Sequence, residues 1–101
     1  MKLVWSERSK ERIRDLCRYI ARHFYADYAR TLRSDVIATA KRAAQDPEAY
    51  PEAFPEIERP EIRKILCASH RHYVYYQILS DRIEVMSVMH TLQEVKSLAD
   101  L

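Results

Sequence analysis

The chain has 101 residues, a net charge of +2, 48% apolar residues and 32% charged ones. That length suits a single domain over residues 1–101, able to bury about 65% of its unfolded surface without metals or disulfides. No apolar run approaches the roughly 18 residues of a membrane span, and "MKLVWSERSK" turns polar too early for a signal peptide, so the expected location is the cytoplasm.

The charge is uneven. Residues 1–45 carry eleven Lys and Arg against five Asp and Glu, residues 46–62 carry one against six, and twelve of the seventeen bases are Arg. A basic lobe beside an acidic loop permits an acidic partner without demanding nucleic acid. Glycine is absent, which excludes a Gly-rich phosphate loop, and no cofactor motif is present. Cys17 and Cys67 sit among apolar residues and read as small core side chains.

"MKLVW" is a short β segment and Ser6 a helix N-cap. At about 100° per residue, Ile13, Leu16, Cys17, Ile20 and Phe24 gather on one buried face. Arg8, Arg12, Arg14, Arg18 and Arg22 fill the other, read as a solvated polar face with Glu11–Arg14 and Asp15–Arg18 as i,i+3 pairs. A second helix is predicted from Asp27 to Gln45, with Leu32, Val36, Ala40 and Ala43 inward. The short link implies an antiparallel helical hairpin, ended by Asp46-Pro47.

"DPEAYPEAFPEIERP" holds all four prolines and is read as a loop anchored on the core by Tyr50, Phe54 and Ile57. "EIRKILCA" is a strand whose register is open by one residue, leaving the face of Arg63 undetermined. "HRHYVYYQILSDRIEVMSVMH" is a β-hairpin turning at Ser80-Asp81, and "TLQEVKSLADL" a short helix or frayed tail. The order predicts an α+β domain, an N-terminal helical hairpin packed on a small, mostly antiparallel β-sheet.

Simple alternation from the turn pairs Ile78 with Ile83, Tyr76 with Val85, Val74 with Ser87 and His72 with Met89 on the core face. The opposite face then pairs Gln77 with Glu84, Tyr75 with Met86, Tyr73 with Val88 and Arg71 with His90. Two readings of that aromatic and apolar strip stand side by side. It binds an apolar partner segment with acids at its rim, or the proline-rich loop or the tail covers it. Cys67, His70 and His72 invite a metal reading, but alternation sends His90 to the other face and supplies no fourth ligand, so no metal is expected.

The order of elements, with "VWSERSKERIRDLCRYI", "RPEIRKI" and "HYVYYQILSDRIEVMSVMH", resembles the ParE/RelE superfamily of type II toxins over nearly the whole chain. The resemblance implies one fold with two activities. ParE-like members act against DNA gyrase, RelE-like members cleave messenger RNA in the ribosome, and a cognate antitoxin neutralises both. Members commonly carry Arg, part of the RNA chemistry, where this chain has Tyr73, and many carry Gly before that strand, where this chain has Ala68-Ser69.

The long helical hairpin and low lysine content lean toward ParE, acting by binding. On this reading Arg71, Tyr73, Tyr75, Met86, Val88 and His90 form the antitoxin-binding strip, and Tyr75→Asp should block antitoxin while leaving the fold intact. The alternatives are a RelE-like ribonuclease using Arg71, Tyr73 and His90, and a non-toxic interaction module of the same fold.

Overall fold

The computed structural model describes residues 1–101. The order is β1 (Lys2–Trp5), α1 (Glu7–His23), α2 (Ala26–Gln45), β2 (Glu61–Leu66), β3 (His72–Ile78) and β4 (Arg82–His90), with 3-10 turns at Pro47–Ala49 and Leu98–Asp100. The fold is α+β, as the alternation of patterns predicts, and no helix is long and apolar enough to cross a membrane.

Local chemistry sets the helix boundaries. The Ser6 hydroxyl accepts from the Ser9 N–H at 3.0 Å and starts α1, a cap of about 1 kcal/mol. Of the predicted α1 face, Ile20 is buried and Ile13, Leu16 and Cys17 pack at its margin. Phe24 instead caps the C-terminus, outside the helical conformation, and is 63% exposed. The helix ends one residue before it, so helical periodicity no longer directs its side chain. On α2, Leu32, Val36, Ala40 and Ala43 are all buried, and the alanines let the helix lie close.

The sheet order is β1-β4-β3-β2, with β1 parallel to β4 and the rest antiparallel. β1 covers only Arg82–Val85 of β4, leaving the second half of that strand to face α1. At the other edge the proline-rich loop runs beside β2: the Ala53 N–H donates to Ile62 O at 2.8 Å and the Lys64 N–H to Pro51 O at 3.0 Å. Prolines are tolerated there because an edge segment satisfies few backbone donors, and the loop shields a strand edge from foreign pairing.

Two cores result, one on each side of the sheet. Beneath the helices lie Val36, Ala40, Ile65, Val74, Tyr76, Ile83, Val85 and Val88. On the distal side Ile62, Tyr75 and Met89 are closed over by Phe54 from the loop and Leu101 from the tail, with Ile57, Val95 and Leu98 packed around them. The tail is therefore seated on the sheet, with the Ser97 side chain and Asp100 capping its last turn.

The hairpin register departs from simple alternation. Ile78↔Ile83, Gln77↔Glu84 and Tyr76↔Val85 pair as expected, but Tyr75 then pairs with Ser87 and Val74 with Val88. Met86 is an extra residue, a β-bulge, and every later side chain on β4 changes face. Val88 joins the helix-side core, Met89 moves to the distal core, and His90 comes to stand opposite His72.

Candidate functional site

The bulge divides the six residues expected to form one strip. Tyr73, Tyr75 and Met86 stay on the distal face, whereas Val88 and His90 lie on the helix side. Arg71 precedes β3, and its guanidinium donates to the Tyr28 hydroxyl of α2 at 2.8 Å.

On the distal face Tyr75 is only 4% exposed, and burial, then the nearby Tyr73, pushes its phenol pKa up. Tyr73 and Met86 remain half-buried. The Lys64 ammonium sits 4.8 Å from the centroid of the Tyr73 ring, a cation–π contact, and Tyr73 meets Tyr75 edge-on at 6.3 Å. Arg63, whose face the sequence left open, projects to the helix side beside Tyr76. It donates to Tyr50 O at 2.6 Å and Glu48 O at 3.2 Å, and pairs with Glu61 at 3.3 Å. Arg63 is thereby a strut for the proline-rich loop.

The helix side carries a second feature. A cleft of ≈ 720 Å³ opens between the first half of α1 and the far ends of β3 and β4, with Arg8, Glu11, Arg12, Asp15, His72 and His90 around it. His72 and His90 meet edge-to-face, ring centroids 5.0 Å apart and planes at 79°. His72 is 4% exposed, and its Nδ1 is buried without a hydrogen-bond partner. Burial, then the charges of His90 and Arg71, hold its pKa below the usual histidine value, against the opposing pull of Asp35.

Arg12 is half-buried. Its Nη1 reaches only the Met89 thioether, at 3.3 Å, and its Nε has no partner. Sequence reasoning assigned Arg8 and Arg12 to a solvated face. The missed signal was their i,i+4 spacing, which sets two guanidiniums on one stripe of α1, turned toward the β4 half that β1 leaves uncovered. Two histidines on one face invite a metal, yet no third histidine, cysteine or carboxylate joins them in a metal-binding group.

The geometry separates the three groups proposed for ribonuclease chemistry. Tyr73 and His90 project to opposite sides of the sheet and Arg71 is engaged by Tyr28, so no shared acid, base and cation surround one point.

The fold is similar to a solved structure described as the chromosomal ParDE toxin–antitoxin system from P. aeruginosa, with a TM-score of 0.74 over 89% of this chain and 95% of that one at 11% identity. No curated protein matches the chain in sequence. The model of the family described as "ParE toxin of type II toxin-antitoxin system, parDE" matches residues 3–95. The family match over nearly the whole chain, on two helices packed against a mixed four-stranded sheet, places this protein in the ParE toxin family of type II toxin–antitoxin systems.

Proposed function

We propose that the chain is the toxin of a type II pair, held in check by a cognate antitoxin, and that in the cytoplasm it inhibits DNA gyrase by binding rather than by catalysis. Family membership supports the toxin role. The observation that carries the binding reading is the bulge at Met86, which sends Tyr73 and His90 to opposite faces. General acid–base catalysis needs its groups within hydrogen-bond reach of one substrate, and this trio does not meet.

The antitoxin surface is correspondingly narrower than the six-residue strip. On the distal face it centres on Tyr73 and Met86, with the Lys64 ammonium over the tyrosine ring. Tyr75 supports that surface from below. An extended or helical antitoxin segment crossing it would meet an aromatic centre and a basic rim, the composition that interfaces favour.

The test is pulse-labelling just after induction, following thymidine and methionine incorporation together. DNA synthesis failing first supports the gyrase reading. Translation failing first would establish a RelE-type ribonuclease instead, and growth without arrest would establish a non-toxic interaction module.

A further inference from the structure

The cleft beside α1 holds two guanidiniums, Arg8 and Arg12, that make no ion pair with the two carboxylates, Glu11 and Asp15, lining it with them. Arg8 takes part in no ion pair, and Arg12 reaches only a thioether sulfur. Placed i,i+4 on one helix, they repel one another by a few tenths of a kcal/mol. Between them and the sheet lie a buried imidazole nitrogen of His72 and the Arg12 Nε, both without partners. Buried polar groups left unpaired cost about 1–3 kcal/mol each, so two of them on one cleft, next to two guanidiniums with no ion-pair partner, mark a place suited to an acceptor with negative charge.

The rim narrows the chemistry. Asp15 pairs with Arg18 at 3.6 Å and Glu11 is exposed, and both line the cleft. Glu11 and Asp15 formally offset Arg8 and Arg12 across the cleft, so a ligand of low charge that pairs locally with the guanidiniums suits it better than one of high negative charge. A dianionic phosphate meets more repulsion from Glu11 and Asp15 than a singly charged carboxylate does. A planar carboxylate also matches the fork of a guanidinium in a two-bonded geometry.

We propose that this cleft is a carboxylate subsite, in which Arg8 and Arg12 hold the two oxygens and His72 and His90 donate or stack at its floor. It is a binding site separate from the distal face assigned to antitoxin, and it stands whether or not the toxin acts on gyrase. The carboxylate comes either from an acidic side chain of a bound protein or from a free small molecule.

The probe is acetate. The full chain, carrying isotope-labelled histidine, is titrated with sodium acetate at pH 7 against chloride of equal ionic strength. The imidazole resonances of His72 and His90 are followed beside those of His23 and His70. The expected result is saturable movement of His72 and His90 alone, with affinity weakened at least about tenfold by Arg12→Gln, the loss of a charge-assisted bond. Arg8→Gln, on an exposed side chain, repeats the test where folding is not in question. Absence of saturation, equal movement of all four histidines, or saturation by inorganic phosphate in preference to acetate would overturn the proposal. Repeating the titration on the toxin–antitoxin complex, an arm that rests on the antitoxin reading, separates the sources. A response lost there assigns the site to a partner's side chain, and a response retained assigns it to a free carboxylate.

Discussion

His72 and His90 stand opposite one another across β3 and β4, their rings 5.0 Å apart and close to perpendicular. Nearly complete burial, reinforced by the charges of His90 and Arg71, depresses the His72 pKa below its ordinary 6.5, while Asp35 from α2 pulls the other way. A histidine with a depressed folded pKa stays neutral in the native state where the unfolded chain already binds a proton. Stability is therefore full above about pH 6.5 and is lost as pH falls through the folded pKa. Urea denaturation at pH 8 and pH 5 should show a fall that His72→Phe reduces. An identical fall in the variant would assign the acid sensitivity elsewhere.

Tyr76 and Arg63 jointly tie the proline-rich loop to the helix side of the sheet. The Tyr76 hydroxyl donates to Pro47 O, and Arg63 donates to Tyr50 O and Glu48 O. Burial pushes the Tyr76 phenol far above its usual range despite the lowering influence of Arg63. Tyr76→Phe should cost about 1 kcal/mol through the lost bond, and Arg63→Ala about 1–3 kcal/mol because it strips several acceptors at once. The two act on one segment, so the double variant should depart from additivity by about 0.5 kcal/mol or more in chemical denaturation. Simple additivity would mean that the two anchors are independent.

Tyr75 and Tyr73, neighbours on one face, call for different experiments. Tyr75 is packed with Phe54, Ile62 and Leu101 in the distal core, so Tyr75→Asp buries an unpaired carboxylate and should unfold the protein or cost several kcal/mol. It thus reports on folding, contrary to the expectation of an intact mutant. Tyr73 is half-buried. Tyr73→Ala should weaken antitoxin binding by about 1–2 kcal/mol if this ring is an interface anchor, with the far-ultraviolet dichroism unchanged. Titration calorimetry of the two proteins measures it, and unaltered affinity would move the interface off this face.

The seal over that face has its own test. Leu101 is 3% exposed against the distal core, so Leu101→Ala should cost about 2–3 kcal/mol. Amide exchange in residues 95–101 should rise in the same variant. A change below about 0.5 kcal/mol, the range of an ordinary surface substitution, would mean that the tail leaves the sheet in solution.

The legibility of these features in the sequence follows from how many independent signals specify each one. Both helices were legible because period, cap and breaker agree at Ser6, across Leu32 to Ala43, and at Asp46-Pro47. The first half of the hairpin was legible because the Ser80-Asp81 turn and the alternation from Ile83 to Val85 fix the register. The second half was not. "MSVM" places apolar residues at both parities, so sliding by one leaves an apolar residue on either face, and no glycine advertises the bulge. His90 and Val88 were consequently placed on the wrong side, and the cleft, which depends on His90 meeting His72, was invisible. The cover over the distal face had a signal in Phe54, Ile57, Leu98 and Leu101, but spacing alone does not say which side of a sheet a loop crosses.

Asp35 holds the turn that delivers β3 to the cleft. Its carboxylate accepts from the Ala68 and Ser69 N–H groups at 3.0 and 3.1 Å, one oxygen for each. Burial pushes its pKa up, but these backbone bonds, with side-chain bonds from Ser69 and Thr39, outweigh it and leave the pKa lowered. The stabilisation is therefore present above the unfolded carboxylate range near pH 3.8 and lost as pH falls through the lower folded value. The residue after Ser69, His70, adopts φ 64°, a left-handed conformation that a residue with a Cβ takes up at a cost of about 1 kcal/mol. Asp35→Ala should destabilise by about 1 kcal/mol, reduced from the value for a buried charged bond because the site is partly solvated. His70→Gly should recover up to about 1 kcal/mol in the same background, since glycine takes φ > 0 freely although it adds entropy to the unfolded chain. Urea midpoints of the two single variants and the double variant decide the matter. A loss of stability in His70→Gly would show that its imidazole, rather than its backbone, is what this turn requires.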